Sequence, residues 1–281
     1  MINVDLWLFP LGLFIGAFGT MIGAGGGFIL VPILLLVYPS ENTELITSTS
    51  LAVVFFNALS GTWAYSRMKR VDYKSGIIFA IATIPGAILG AITTTYLPRH
   101  AFDIIFGILM IAAAVFLWVS ARDDHGHGHK PPPDLQSILT SKRLSVRHLT
   151  DAKDIHYHYS YNPAIGIWLS VFVGYISSVL GVGGGFIHVP ALTSLLNFPV
   201  HIATATSHFV LAIMALTGTL VHVAHGVFAR GVARTAVLAV GVIFGAQGGA
   251  HMSTRIDGKW IIRSLAIALL FVGIRLIVSE L

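Results

Sequence analysis

The sequence predicts an all-α, polytopic integral membrane protein built from two homologous repeats, and three observations support this fold class. The mean hydropathy of the 281-residue chain is +0.82, and 10% of its residues are charged, against roughly 25% in soluble proteins. Apolar runs of about 20 residues, the length of a membrane-spanning helix, recur from end to end. One glycine-rich segment occurs twice, once in each half of the chain.

The repeated segment is Gly23–Pro32, which returns nearly unchanged as Gly181–Pro190. Both copies start with a glycine cluster and lie inside a long apolar run. A glycine in a helix interior costs about 1 kcal/mol relative to alanine, so we expect each helix to be broken there. Paired interruptions in corresponding membrane helices are typical of transporter binding sites.

Each half is expected to form a four-helix repeat whose first helix is broken at the glycine cluster. The predicted spans are 6–37, 45–65, 76–96 and 102–119 in the first half, and 164–196, 203–225, 232–251 and 260–278 in the second. The register match covers nearly all of both halves, which indicates an internal duplication. Gly86 and Gly90, with their counterparts Gly245 and Gly249, have the spacing of close helix packing.

The predicted domains are a first transmembrane repeat at 1–120, a linker at 121–162 and a second transmembrane repeat at 163–281. The linker is polar and contains Pro131–Pro133, so we expect it to be flexible and to lie outside the membrane.

The distribution of basic residues leaves two topologies open. Lys and Arg are concentrated at 67–74, in the linker and at Arg230 and Arg234, whereas the Glu41/Glu44 loop has none. Eight simple spans with both termini in the cytoplasm satisfy this pattern. A continuous helix over 6–37, however, would be about 48 Å long, and the hydrocarbon core is about 30 Å thick. If each glycine cluster turned the chain back, the repeats would be inverted and the Arg230/Arg234 loop would lie outside.

The charge distribution favours a dipolar site for an anion. All twelve carboxylates lie in loops or at span ends, so the intramembrane acid typical of cation-coupled carriers is missing from the predicted spans. Lys and Arg are likewise confined to loops and span ends. A broken helix, in contrast, offers unpaired backbone N–H groups and a positive helix end without any formal charge.

Hydroxyl groups and two histidines accompany the glycine clusters. Two sets of hydroxyl residues occupy the opening turns of the following helices, where they would act either as helix N-caps or as site residues: Thr47, Thr49 and Ser50, and Thr204, Thr206 and Ser207. We predict site residues, because both copies keep the pattern beside a broken helix. His188 and His208 replace Leu30 and Leu51 of the first copy, so we expect an asymmetric site in which they contact an anion or carry a proton. The predicted substrate-binding residues are Gly25, Gly26, Gly27, Thr49, Ser50, Gly183, Gly184, Gly185, His188, Thr206, Ser207 and His208.

Several other functions are disfavoured. The chain has no cysteine, no zinc-protease motif and no carboxylate in mid-span, so we predict no enzymatic activity, no metal site among the spans and no cofactor. The basic charge is attributed to membrane orientation and not to nucleic acid. The alternating histidines His125, His127 and His129 of the linker are expected to form a solvated tract, with weak metal binding as the alternative.

Together, the duplicated Gly-x-Gly-Gly-Gly-Phe motif, the Val-Pro that follows it and the Thr-Ser of the next helix resemble the TauE/SafE family of membrane anion permeases. The resemblance covers the whole chain except the linker. It implies that Gly25–Gly27 and Gly183–Gly185 are unwound segments and that the substrate is sulfite, an organosulfonate such as sulfoacetate, or a related sulfur anion. It also implies a multi-pass protein of the inner (plasma) membrane.

The function predicted from the sequence is export of a small sulfur-containing anion that binds between the two repeats at mid-membrane. The alternative is a channel-like anion pore, or a carrier for another small anion such as thiosulfate or a carboxylate. The expected partners are the small anionic substrate and the lipid bilayer, and a homo-oligomer is compatible with the sequence.

Overall fold

The computed structural model describes residues 6–123, 144–253 and 258–279, which form ten helices and one β-hairpin. The first half contains α1 (Leu8–Ile22), α2 (Gly27–Val37), α3 (Thr43–Arg67), α4 (Tyr73–Tyr96) and α5 (Arg99–Asp123). The second half contains α6 (Pro163–Leu180), α7 (Gly185–Leu195), α8 (Val200–Ala224), α9 (Val232–Met252) and α10 (Gly258–Ser279). The antiparallel strands β1 (Ser145–Thr150) and β2 (His156–Tyr161) lie between the halves. The predicted all-α class of the membrane part is confirmed.

Five of these helices, α3, α4, α6, α8 and α9, are long and apolar enough to cross a membrane. The helices α1, α2 and α7 are apolar but shorter. The breaks lie where the glycine clusters predicted them: α1 ends at Gly23 and α6 ends at Gly181, both in the left-handed backbone region that glycine enters without strain. We call Gly23–Gly26 and Gly181–Gly184 the first and second glycine segments.

The two halves interlock, because the first helix of each half packs along the fourth helix of the other. A Cβ on Gly12 of α1 would lie 2.6 Å from the carbonyl oxygen of Leu238 in α9, and one on Gly245 would meet the backbone of Leu13. In the equivalent pair, Gly86 of α4 contacts the backbone of α6 in the same way. The prediction that the spaced glycines serve helix packing is therefore confirmed.

Equivalent helices of the two halves run in opposite directions. Near one end of the α3–α8 pair, Gly61 lies beside His208; near the other end, Gly218 lies beside Leu51. The pair α5–α10 is also antiparallel, since Gly107 contacts Ile277 and Ile111 contacts Gly273. The rotation axis that superimposes one half on the other is therefore perpendicular to the helices, which is the symmetry of inverted repeats.

One ion pair shows that the eight-span topology is wrong. Arg234 donates to the Glu41 carboxylate at 2.9 Å and its guanidinium lies 3.8 Å from the Tyr38 ring centroid, so the two loops predicted on opposite sides share one side. We call this the acidic end. The eight-span topology is wrong because α2 runs back beside α1. Each glycine segment therefore turns the chain instead of continuing a span.

The same geometry determines on which side of the molecule the described chain begins and ends. The helix α5 starts at the acidic end, where Arg99 donates to the Glu41 carbonyl at 3.2 Å, and its antiparallel partner α10 therefore finishes there. The helix α1 runs parallel to α9, which starts beside Arg234. The described chain thus begins and ends on the side opposite the β-hairpin, so the prediction that both termini share the linker's side is also wrong.

The second part of the predicted flexible linker is an ordered β-hairpin. Its inward aromatic side chains, Tyr159 and Tyr161, pack against Phe198 with ring centroids 4.5 and 5.2 Å apart. The alternation of histidine and tyrosine over 156–161 is the period of a half-buried strand, which the polar composition concealed. The histidines at 125–129 and Pro131–Pro133 lie outside the described residues.

The hairpin is fixed to the turn between α3 and α4 by buried charges. Asp72 accepts from Arg147 at 3.0 Å and from the Tyr159 hydroxyl at 2.7 Å, and Asp151 accepts from Arg70 at 3.1 Å. Burial would raise the pKa of the Asp72 carboxyl, but the hydrogen bonds from Arg147, Ser75 and Tyr159 outweigh it and lower that pKa below its ordinary value. We call this side of the molecule the hairpin end.

Candidate functional site

The two glycine segments meet in the interior of the protein. A Cβ on Gly27 would lie 2.6 Å from the carbonyl carbon of Val182, and one on Gly185 would lie 2.8 Å from the Cα of Ala24. The rings of Phe28 and Phe186, which follow the two segments, are 6.3 Å apart between centroids. The structure therefore brings together the predicted site residues Gly25–Gly27 and Gly183–Gly185, and all of them are buried.

Helix ends are concentrated at this meeting point. The helices α2 and α7 begin there. The third and fourth N–H groups of each helix donate to the carbonyl of the preceding glycine, and the Gly185 N–H donates to the Gly183 carbonyl. Among the described residues, this leaves three N–H groups as donors, those of Gly27, Phe28 and Phe186. Positive backbone φ angles at Gly25 and Gly26 (76° and 81°) and at Gly183 (69°) turn the chain into these helices. The arrangement aims N–H groups and the positive ends of two helix dipoles at one place, which is a favourable environment for an anion.

The hydroxyl motifs lie against the glycine segment of the opposite half. Ser50 in α3 donates to the Gly181 carbonyl at 2.6 Å, and Ser207 in α8 approaches the Gly23 carbonyl at 3.5 Å. Neither is a helix N-cap: α3 is capped by Asn42, and α8 begins at Val200. The N-cap alternative is therefore wrong for these residues.

In each motif, the second threonine contacts the turn that precedes the fourth helix of the other half. Thr206 accepts from the Asp72 N–H at 3.0 Å, and the Thr49 hydroxyl lies beside Gly231. The first threonine is closer to the centre, since Gly181 contacts Thr47 and Gly23 contacts Thr204. The hydroxyl of Thr47 has no hydrogen-bond partner within the described part of the chain. Thr47, which the duplicated Thr-x-Thr-Ser pattern already included, is therefore more central than Thr49.

His208 lies in a buried polar pocket between the two halves. Its Nδ1 faces the Thr204 carbonyl at 3.2 Å, and its ring is 5.5 Å from that of Tyr65. Thr20 donates to the Asn57 side chain at 2.9 Å and lies next to the same Gly61 that His208 contacts. We call Thr20, Asn57, Tyr65 and His208 the His208 pocket.

Two polar atoms of this pocket have no hydrogen-bond partner among the described residues. One is the donor Asn57 Nδ2, and the other is His208 Nε2, which is the acceptor nitrogen of the neutral ring because Nδ1 faces a carbonyl. A buried polar atom without a partner costs about 1–3 kcal/mol, so the pocket is built to receive a further hydrogen-bonding group. Sequence reasoning missed Thr20, Asn57 and Tyr65. The usable signal was Asn57, an amide in the middle of an apolar span.

His188 occupies a different environment. It is buried in α7 with its ring edge-on to Phe79, 6.1 Å between centroids, and neither ring nitrogen has a hydrogen-bond partner within the described ranges. The contacts of the two predicted histidines therefore differ: His208 faces the first half through α3, whereas His188 faces α4.

The site is closed to solvent on both sides. The predicted hydroxyl and histidine residues are all at most 7% exposed, and the hairpin covers the turn that binds Thr206. Over the described part of the chain, no group of three or more His, Cys, Asp or Glu side chains could hold a metal ion.

Comparison with known proteins agrees with this architecture. The family model described as "Sulfite exporter TauE/SafE" matches residues 8–276. A protein named "Probable membrane transporter protein YunE" from Bacillus subtilis is 33% identical over 280 residues, covering 96% of each chain. A probable membrane transporter protein from Methanocaldococcus jannaschii is 25% identical and covers 76% of this chain and 72% of its own length. No solved structure matches the chain significantly.

Proposed function

Since the chain belongs to the TauE/SafE family of membrane transporters, we propose that it is a carrier for a small sulfur oxyanion or organosulfonate that binds between its two halves. One observation carries the proposal: the two glycine segments, from halves of opposite direction, meet at one buried place where two helices begin. The proposal assigns transport and no catalytic step.

The anion would be held by dipoles and not by a formal positive charge. The N–H groups of Gly27, Phe28 and Phe186 and the hydroxyl of Thr47 supply donors at the meeting point. The His208 pocket supplies Asn57 Nδ2 as a further donor, and His208 Nε2 donates only when the imidazole is protonated. A tetrahedral sulfur group has several acceptor oxygens, which suits donors that converge from different elements.

Transport would proceed by alternating access between the hairpin end and the acidic end. Each of the two closely packed helix pairs, α1–α9 and α4–α6, takes one helix from each half, and these pairs would rock against each other about the central site. Burial of the site on both sides favours such a carrier over the channel-like alternative, which needs a continuous open path.

The basic residues give the orientation. The hairpin end carries Arg67, Lys69, Arg70, Lys74, Arg147 and Lys153, so we place it in the cytoplasm and the acidic end outside, with the protein in the plasma membrane. An anion that leaves the cytoplasm without a coupled ion gains about 2.3 kcal/mol per charge from a 100 mV potential. Uncoupled transport would therefore be efflux.

Reconstitution into liposomes tests the proposal. We expect the purified protein to move sulfite, sulfoacetate or thiosulfate under an imposed potential, faster than protein-free liposomes do. Asn57→Met, which places the second-copy residue in the first copy, removes a hydrogen bond to a charged ligand. We expect it to weaken anion binding by about 10- to 100-fold, measured as a thermal-shift Kd.

Gly248→Ala is the matched control, because nothing lies within 4 Å of a Cβ at that position. It should bind and transport as the wild type does. The proposal is contradicted if none of the three anions moves. Single-channel currents from the same protein would instead indicate the pore.

A further inference from the structure

Glu44 is a buried carboxylate at the acidic end, where three helices meet. Its side chain is 6% exposed, although it lies in the first turn of α3. Thr95 in α4 donates to Glu44 Oε1 at 3.0 Å. On the side of α8, His222 Nδ1 and His225 Nδ1 lie 3.4 and 3.6 Å from the same oxygen. Both halves of the chain therefore contribute to this cluster.

The three ionisable groups form a series from solvent to the interior. The His225 side chain is 39% exposed, that of Glu44 6% and that of His222 0%. His222 Nε2 has no hydrogen-bond partner within the described part of the chain. A buried ionisable cluster of this kind is costly to keep, and in membrane proteins such clusters are characteristic of proton pathways.

The inner end of the series leads toward the second glycine segment. One turn before His222, Gly218 contacts Ser178, whose hydroxyl lacks a partner among the described residues. One turn after Glu44, Thr47 contacts Gly181. Each of the two helices that carry the cluster thus also touches the proposed anion site or its immediate neighbourhood.

Among the described residues, two arginines of the acidic end pair with carboxylates other than Glu44. Arg234 binds Glu41, and Arg99 binds Asp103 at 2.7 Å and the Glu41 carbonyl. The groups that face Glu44 are the two imidazoles of the α8 side and the hydroxyl of Thr95. With both imidazoles neutral, the buried cluster holds one net negative charge; after binding one proton it is neutral.

We propose that Glu44, His222 and His225 form a proton-binding site that couples proton movement to anion transport, an inference that rests on the proposed carrier function. A proton from the outer solution binds His225 or Glu44, is shared between the Glu44 carboxylate and the His222 imidazole, and is released on the other side of the membrane. The unprotonated cluster repels a second negative charge nearby, so proton and anion bind together. A proton carried with a monoanion also cancels the charge moved, and the pH gradient then drives transport in place of the potential.

Proton-coupled accumulation provides the test. Liposomes containing a pH-sensitive dye are given thiosulfate or sulfoacetate, which stay ionised across the assay range, with the membrane potential clamped at zero. For one proton per anion, a gradient of one pH unit sustains about a tenfold accumulation in the wild type. Glu44→Gln should still equilibrate the anion but accumulate none, and the dye should report no proton entry; His222→Asn should behave in the same way.

Glu41→Gln is the matched control, because Glu41 is three residues away and pairs with Arg234 at the surface. It should keep the tenfold accumulation. The proposal is overturned if Glu44→Gln still accumulates the anion, or if Glu41→Gln loses accumulation to the same extent.

Infrared spectroscopy separates this proposal from the transport function, since it requires no substrate. A pH-difference spectrum of the wild type should contain a protonated carboxyl band that disappears in Glu44→Gln and persists in Glu41→Gln. If no anion moves in any variant, the carrier function fails, and this band still decides whether Glu44 binds a proton. A band unchanged in Glu44→Gln contradicts the proposal.

Discussion

The two repeats share a backbone but differ in the side chains at equivalent places. In both, a glycine segment ends the first helix, and a serine of the other half lies against its carbonyl: Ser50 at Gly181 and Ser207 at Gly23. In both, the first helix packs along the fourth helix of the other half. The scaffold is therefore duplicated, and its two copies depend on each other.

The side chains around this scaffold are distributed unequally. The first repeat places Thr20, Asn57 and Tyr65 around His208. The equivalent positions of the second repeat hold Ser178, Met214 and His222, and Leu51 stands in place of His208. Within this second set, His222 faces Glu44. Under the two proposals made above, the backbone scaffold is symmetric, whereas the side chains differ: those around His208 would bind the anion, and those around Glu44 would bind the proton.

The largest expected loss of stability comes from substitutions that disrupt the backbone packing shared by the two repeats. A Cβ on Gly249 would lie 2.8 Å from the carbonyl carbon of Ala17, a backbone atom that has no room to move aside. We expect Gly249→Ala to destabilise the protein by about 3 kcal/mol, and its counterpart Gly90→Ala to do the same. Gly248→Ala, with open space at its Cβ, should be neutral or gain up to about 1 kcal/mol of helix propensity.

Thermal unfolding in detergent measures all three variants. Equal losses for Gly249→Ala and Gly90→Ala would support an equivalent role for the two interlocking contacts. If Gly248→Ala lost as much stability as its neighbour, close packing would not be the cause.

A smaller effect distinguishes the two serines. The Ser50 bond to Gly181 is 2.6 Å long, whereas the Ser207 contact with Gly23, at 3.5 Å, is at the limit of a hydrogen bond. Ser50→Ala should therefore cost about 1 kcal/mol and Ser207→Ala clearly less. Melting temperatures of the two variants, compared in the same detergent, check this. Equal losses would mean that the serines are as symmetric as the backbone.

The smallest effect at neutral pH concerns the hairpin, which docks on the α3–α4 turn of the first repeat. Hydrogen bonds outweigh burial and keep the pKa of Asp72 below its ordinary value, and backbone N–H groups and Arg70 do the same for Asp151. A lowered folded-state pKa gives stability that is complete above the unfolded pKa of 3.8 and is lost as the pH falls through the folded value. Docking should therefore be constant from pH 8 to 5 and weaken below about pH 4.

Hydrogen exchange at the amides of β2 measures this docking. Arg147→Ala removes a donor to Asp72 and should raise exchange already at pH 7, whereas Lys153→Ala, on the same hairpin, should not, because Lys153 contributes its backbone N–H to Asp151. Exchange that is independent of pH down to pH 3 would show that the buried carboxylates do not hold the hairpin.

Local composition was sufficient to predict the helical membrane fold, the two breaks and the packing role of Gly86 and Gly245. It did not determine the topology, because the basic loop around Arg234 looks cytoplasmic until its pairing with Glu41 is seen. The proton cluster was invisible for a similar reason: Glu44 and His222 are 178 residues apart, and no short-range pattern joins them.

The site was predicted in part. The glycine segments stand out because clustered glycines are costly in an apolar helix. Which hydroxyl faces which segment depends on the crossing of the two halves, so the contact of Ser50 with Gly181, from the other repeat, was not foreseeable from either repeat alone. The roles of the twelve predicted residues in substrate binding stay predictions.

The pairing of α1 with α9 also has a consequence for biosynthesis. The glycine-lined face of α1 leaves the ribosome first, yet α9 begins about 210 residues after α1 ends, which at ordinary elongation rates is roughly 10–40 s later. During that interval α1 must be held by lipid, by the insertion machinery or by a chaperone. Slowed elongation of the second half would therefore be expected to lower the yield of folded protein, even though the sequence of the mature chain is unchanged.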